Sequence, residues 1–183
     1  MYNAKSAAAS LRGRQNRAEG EAFENLIINS CEYYRGKGIA VIDKTPEPFR
    51  VTRSLNKGQF QGHFTSQAQP DFKGAVLVML PGHCDFYGRC IVFDAKATTT
   101  DRIPITALTE TQRKDLLAYQ RCGAVAGVLM CFNFQKFAWL EIDTFLTAKQ
   151  VNGHQYWTHE EAIAWGEDIK YKGNRLILFN EGE

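Results

Sequence analysis

Pro70-Asp71-Phe72-Lys73-Gly74 and, an apolar run later, Ile91-Val92-Phe93-Asp94-Ala95-Lys96 decide how this chain folds. Two apolar segments, Asp71 to Leu80 and Arg89 to Ala97, flank Pro81 to Gly88, whose proline and glycines favour turning. The expected unit is a β-hairpin. Side chains two residues apart on a strand share a face, so Asp94 and Lys96 point together from the end of the second strand. Asp71 opens the first strand, and the 22 residues between the two aspartates fit two strands and a turn. Both carboxylates then meet at one edge of the sheet.

Two carboxylates and a lysine converging in this way form a hydrolytic constellation. Carboxylate oxygens are the hard ligands that Mg²⁺ (or Mn²⁺) takes while keeping several waters. Such a metal acidifies water and offsets charge growing on a scissile phosphate. A lysine beside it orients or deprotonates the attacking water, or steadies the phosphate. Glu24, next to the apolar stripe of the first helix, is a natural third acid. Gln112, at the start of a later helix, is placed to hydrogen-bond the water or the phosphate. Each residue also has a plainer reading. Asp71 serves as a strand-entry residue, Asp94 and Lys96 as a solvated strand end, Glu24 as a surface carboxylate and Gln112 as half of a capping box.

Outward from the hairpin the chain reads as one α/β domain of residues 18–183, preceded by a flexible basic arm over residues 1–17. Phe23, Ile27, Cys31 and Tyr34 recur at helical spacing between Gly20 and Tyr34. Gly38 to Lys44, with the apolar Ile39 to Ile42, reads as a short buried strand closed by Pro46 and Pro48. Residues 49–69, polar and basic with Gly58 and Gly62, suit an extended hairpin. Thr109 with Gln112, and Thr158 with Glu161, mark two helix starts as capping boxes. Ala124 to Phe134 and Lys136 to Ile142 suit central strands, and Arg175 to Phe179 one more strand or an extended tail. The expected architecture is a mixed central sheet flanked by helices.

Charge narrows the partner. The net charge is only +2, yet residues 1–18 hold Lys5, Arg12, Arg14 and Arg17 with no acid. Residues 35–62 add Arg35, Lys37, Lys44, Arg50, Arg53 and Lys57 against Asp43 and Glu47. A basic front end on a nearly neutral chain suits a polyanion. The five cysteines are an odd number without a CxxC pair, so neither a disulfide framework nor a zinc ribbon is indicated. No apolar run approaches a membrane span, the N-terminal residues show no apolar signal core, and the cytoplasm is the expected compartment.

Taken in order, Gly20, Phe23-Glu24, Tyr33-Tyr34, Gly38 to Lys44 with Pro46 and Pro48, Pro70 to Gly74, Phe93 to Thr98 and Glu110-Thr111-Gln112 resemble the RecU family of Holliday junction resolvases, within the PD-(D/E)xK nuclease superfamily. The resemblance implies a restriction-endonuclease-like core with a protruding β-hairpin stalk over about residues 49–69. It implies metal binding by Asp71 and Asp94, help to the water from Lys96, and a site completed by Glu24 and Gln112. Lys44 matches a basic position near the scissile phosphate. Arg50, Arg53 and Lys57 fall on the stalk, which enters the junction centre, while Arg14 and Arg17 add DNA contacts from the arm. A homodimer is implied, cutting opposing strands of a four-way junction in the bacterial cytoplasm or a phage-infected host. Two features depart from the family: Asp94 stands where it usually has Glu, and the stalk segment is shorter, as would suit a phage-encoded member. Residues beyond about Asp143 match little, and no recombinase partner is legible. The competing readings are a nuclease of this fold acting on flaps, nicks or duplex DNA, and a non-catalytic junction-binding module.

Overall fold

The computed structural model describes the backbone of residues 4–46, 49–54, 60–64, 69–79 and 86–179, and the side chains of 18–46, 52, 61–62, 69–77 and 88–179. In chain order the elements are α1 (Ala4–Gly36), β1 (Ala40–Lys44), β2 (Phe49–Ser54), β3 (Phe60–Phe64), β4 (Phe72–Met79), β5 (Phe86–Thr98) and β6 (Arg102–Pro104). A single 3₁₀ turn, Ile105–Ala107, leads into α2 (Glu110–Arg121), β7 (Val125–Phe132), β8 (Lys136–Glu141), α3 (Ile142–Leu146) and α4 (Ala148–Asn152). The chain ends with β9 (Tyr156–Thr158), α5 (His159–Trp165), β10 (Glu167–Lys172) and β11 (Arg175–Ile177).

Seven strands form the main sheet in the order β1-β4-β5-β7-β8-β10-β11. The β5–β7 pair is parallel, with α2 in the crossover between its strands, and the other pairings are antiparallel. This is the expected mixed sheet flanked by helices. One face carries α1 over Ile42, Phe72, Ile91, Phe93, Leu129 and Cys131. The other carries Leu116 of α2 over Val92, Ala126, Val128 and Met130. The alternation along β5 and β7 sorts the residues between these two cores, as a twofold side-chain period requires.

Helix α1 packs against both β1 and β11, so the sheet curls around it. The far edge is tied down by side chains of α1. Ser30 Oγ accepts from Leu176 N at 2.9 Å, and the Tyr34 hydroxyl accepts from Leu178 N at 3.1 Å. These contacts satisfy backbone donors that an edge strand otherwise leaves open.

Three expectations change. The helix does not begin near Gly20: its backbone is helical from Ala4. The stretch read as an arm contains Ala4, Ala7, Ala8 and Ala9, and alanine's high helix propensity lets it continue the helix without an apolar face. Second, Asp94 and Lys96 do not end their strand. β5 runs on to Thr98, because parallel pairing with β7 (Lys96 with Met130, Thr98 with Phe132) carries it past the end of β4. Third, the C-terminal region holds β9, β10 and two short helices that lack a readable period.

Residues 49–54 and 60–64 form an antiparallel ribbon of β2 and β3, from Phe49 opposite Phe64 to Ser54 opposite Phe60, hydrogen-bonded apart from the seven-stranded sheet. Thr52 Oγ donates to the Gln61 carbonyl at 3.1 Å. Lys57 lies outside the described residues, as do the side chains of Arg14, Arg17, Arg50 and Arg53.

Candidate active site

The site begins with the hairpin register. β4 and β5 pair from Phe72 opposite Phe93 to Met79 opposite Phe86. Gly74 in β4 is required by its neighbour, since a Cβ there would lie 1.9 Å from the Val41 carbonyl oxygen of β1. Past Phe93, β5 has lost its β4 partner on that side while β7 still holds the other. Asp71 takes over at this point. Its carbonyl accepts from Thr45 N at 2.8 Å, and its Oδ2 accepts from Ala95 N at 2.9 Å. The residue is pinned between β1 and β5, and its carboxylate closes the ladder that β4 leaves open.

Asp94 lies opposite this closure and is fully buried. It shares the α2 face of β5 with Val92. Gln112, 5% exposed, donates from Nε2 to Asp94 Oδ1 at 2.7 Å. The orientation of that amide is fixed by its other end. Gln112 Oε1 accepts from Thr109 N at 3.0 Å and from the Thr109 hydroxyl at 3.2 Å, while Thr109 Oγ accepts from Gln112 N at 3.2 Å. This is a complete capping box at the start of α2. A backbone N–H needs an acceptor, so the amide oxygen must face Thr109 and the NH₂ must face Asp94. Gln112 thus caps α2 and donates to Asp94 with the same amide. Its reach ends on the carboxylate.

The Lys96 ammonium sits against Asp94 Oδ2 as an ion pair, with the lysine side chain 19% exposed. Apart from this ion pair, Oδ2 is buried without a hydrogen-bond partner. Burial pushes the Asp94 carboxyl up to about 7; Lys96 pulls it down and Asp71 pushes it up again. The buried Asp94 and the partly buried Asp71 face one lysine, which leaves negative charge undercompensated. That imbalance, together with an unsatisfied buried oxygen, fits a divalent cation taking oxygen from Asp71 and Asp94. Among the described residues no group of three or more His, Cys, Asp or Glu gathers, so the fit is to a two-carboxylate site completed by water.

Glu24 does not join these two acids. It pairs with Lys44, whose strand mates Ala40 and Ile42 belong to the α1 core. The alternation along β1 thus sends Lys44 toward α1, while Asp94 faces α2. Lys44 and Phe72 are register partners, so the pair stands at the same end of the sheet as Asp71, toward its other face. The structure therefore brings together Asp71, Asp94, Lys96 and Gln112, and sets Glu24 with Lys44 beside them. Thr109 was read only as a helix cap; its link to the site was latent in the Thr109–Gln112 spacing.

The family model and a sequence relative both point to one family. The model of the RecU family, "Recombination protein U", matches residues 18–181. The Holliday junction resolvase RecU of Pediococcus pentosaceus is 26% identical over 167 residues, which span 88% of this chain and 73% of that protein. Among solved structures, Archaeoglobus fulgidus Hjc, a Holliday junction resolvase from an archaeal hyperthermophile, covers 81% of this chain and 95% of its own at 10% identity. Its TM-score is 0.44, too loose a likeness to argue from. The match to the family model runs through the hairpin, the capping box and the C-terminal strands alike, and the chain belongs to the RecU family.

Proposed function

We propose that this protein resolves four-way DNA junctions by divalent-metal-dependent phosphodiester hydrolysis, acting as a homodimer. Family membership supports the nuclease activity and the branched substrate. The observation that carries the chemistry is the meeting of Asp71, Asp94, Lys96 and Gln112 at one point beyond the end of β4.

Asp71 and Asp94 would hold the cation, and the oxygen-only donor set favours Mg²⁺, with Mn²⁺ as a substitute. The bound ion supplies acidification of the attacking water and compensation for charge on the phosphate. The protein's own residues do the rest. Gln112 keeps one Asp94 oxygen in place, and the other faces Lys96. Lys96, partly exposed, places a positive charge at the mouth of the site, where it orients water and steadies the phosphate as negative charge builds. Lys44, held by Glu24, stands ready at the same sheet end for a neighbouring phosphate. The β2–β3 ribbon, with Arg50, Arg53 and Lys57, serves as the stalk that enters the junction centre, and Arg14 and Arg17 track the backbone of an arm. Contacts of this kind read shape and charge rather than base edges. Among the described residues no helix is long and apolar enough to cross a membrane.

Mapping cuts on all four strands of an immobile junction, beside a linear duplex of the same sequence, tests the reading. Paired cuts on opposing strands, confined to the junction and abolished by EDTA, are expected. Equal cutting of both substrates contradicts the junction specificity, and single unpaired cuts contradict the dimer.

A further inference from the structure

We propose that Thr109 is a positioning residue of the nuclease site, which through the Gln112 amide fixes the Asp94 carboxylate for its cation. The inference rests on the reading of Asp94 as a metal ligand given above. Three hydrogen bonds join Thr109 to Gln112, and a fourth, at 2.7 Å, passes from Gln112 to Asp94. Both ends of the planar amide are thereby assigned. The Thr109 hydroxyl and N–H hold the oxygen, so the NH₂ can only face the carboxylate. If the amide turned over, it would present Oε1 to Asp94 Oδ1, lone pair against lone pair, between two buried side chains. Hydrogen-bond partners of metal ligands set the ligand's orientation, and losing one commonly weakens metal binding or activity about 10–100-fold.

A second capping box in the same chain supplies the control. Thr158 and Glu161 open α5 in the same way: the Thr158 N–H and hydroxyl donate to Glu161 Oε2 at 3.0 and 2.8 Å, and Glu161 N donates back to Thr158 Oγ at 3.3 Å. The other oxygen of Glu161 meets His154 Nε2 at 3.0 Å rather than any residue of the site. Thr109→Ala and Thr158→Ala therefore remove equivalent caps, and only the first disturbs the relay to Asp94. Within the first box, asparagine and serine separate cap from relay. Asparagine caps a helix as well as threonine does but brings no hydroxyl to Gln112 Oε1; serine keeps both functions.

The test is a titration of the metal-free full-length chain with Mn²⁺ alone, followed by calorimetry or the Mn²⁺ spin signal, with cleavage kinetics and thermal melting alongside. Thr109→Ala should weaken Mn²⁺ binding about tenfold and lower kcat to match, with KM for the junction unchanged. Thr109→Asn should melt like the wild type and still bind Mn²⁺ as weakly as the alanine variant, whereas Thr109→Ser should restore affinity to within about twofold. Thr158→Ala should lose a similar amount of stability and leave Mn²⁺ affinity unchanged. Equal effects of Thr109→Ala and Thr158→Ala on Mn²⁺ affinity, or full recovery in Thr109→Asn, overturn the proposal. The titration contains no DNA, so a wild-type chain that binds Mn²⁺ but leaves junctions whole would sink the junction reading and not this one. A wild-type chain without Mn²⁺ affinity would sink both.

Discussion

Gln112 and Asp94 are joined by a 2.7 Å hydrogen bond from amide to carboxylate, and the far end of the same amide closes the cap of α2. Helix start and candidate site thus share one side chain. Changing Gln112 to Glu keeps a side chain that can complete the capping box, as Glu161 does in α5, but sets a carboxylate against Asp94. Gln112→Glu should therefore fold and should cut junctions about 10–100-fold more slowly. Single-turnover cleavage with a circular dichroism melt checks both halves; wild-type cleavage would remove Gln112 from the site.

Asp94 makes the metal-free protein sensitive to pH. Its carboxyl is pushed from the ordinary 3.8 up to about 7 in the fold, chiefly by burial. The folded chain holds this proton more tightly than the unfolded chain, so protonation favours folding below about pH 4, and that advantage is lost as pH rises through 7. In EDTA the melting temperature should fall across this window. Asp94→Asn should flatten the fall and, at pH 8, melt higher than the wild type by about 5 °C. Adding Mn²⁺ should raise the wild-type value at pH 8 and leave the variant unmoved. A wild-type melting curve that is flat or rising between pH 4 and 7 would contradict the burial of an uncompensated acid.

Lys96 is 19% exposed and forms an ion pair with the buried Asp94. Lys96→Met should retain the fold and junction binding while losing about 10²–10⁴-fold in kcat. Loss of the ammonium also removes what pulls Asp94 down, so the pH dependence of melting should shift upward in the same variant. A kcat within about threefold of wild type would reduce Lys96 to a partner for Asp94 alone, since removal of an acting acid–base group costs far more.

The curled edge of the sheet offers a structural control far from the chemistry. Tyr34 is fully buried and its hydroxyl accepts from Leu178 N at 3.1 Å. Tyr34→Phe leaves a donor of the C-terminal segment without that partner and should cost about 1–2 kcal/mol of stability. Cleavage by the folded fraction should be unaltered; a specific loss of cleavage would tie the C-terminal strand to the site.

Electrostatic tracking of the DNA backbone has its own signature. Junction affinity should fall steeply as salt rises, as release of counterions requires. Replacing residues 50–63 of the ribbon by a short Gly-Ser turn should lower junction cleavage more than affinity for linear duplex. A salt-independent affinity would argue against phosphate contacts, and equal losses on both substrates would deny the ribbon a part in junction recognition.

The sequence disclosed the hairpin, both aspartates, Lys96 and the capping box because each is a local pattern: strand alternation, a Pro-Asp entry, a Thr-x-x-Gln spacing. The faces were also legible in principle. Lys44 shares its parity with Ala40 and Ile42, and Asp94 shares its parity with Val92, so the separation of Glu24 from the two aspartates follows once α1 and α2 are known to lie on opposite faces. What was not legible depends on contacts distant in sequence. The ion pair of Glu24 with Lys44, the anchoring of Leu176 and Leu178 by α1, and the continuation of β5 beyond β4 are set by packing. The three-residue strands β6 and β9 are too short to carry a period, and β10 buries Ile169 alone among its residues. Residues 4–17 show the converse: alanine-rich sequence formed helix without the apolar face that a pattern-based reading demands.

The most direct measurement places wild type and Asp94→Asn side by side on one labelled four-way junction, with affinity measured in Ca²⁺ and cleavage started by Mg²⁺. A metal-binding Asp94 at the reacting centre predicts that the variant binds the junction at least as tightly as the wild type and yields no detectable product. Cleavage by Asp94→Asn at a rate near that of the wild type would contradict the assignment of this carboxylate, and with it the site built around it.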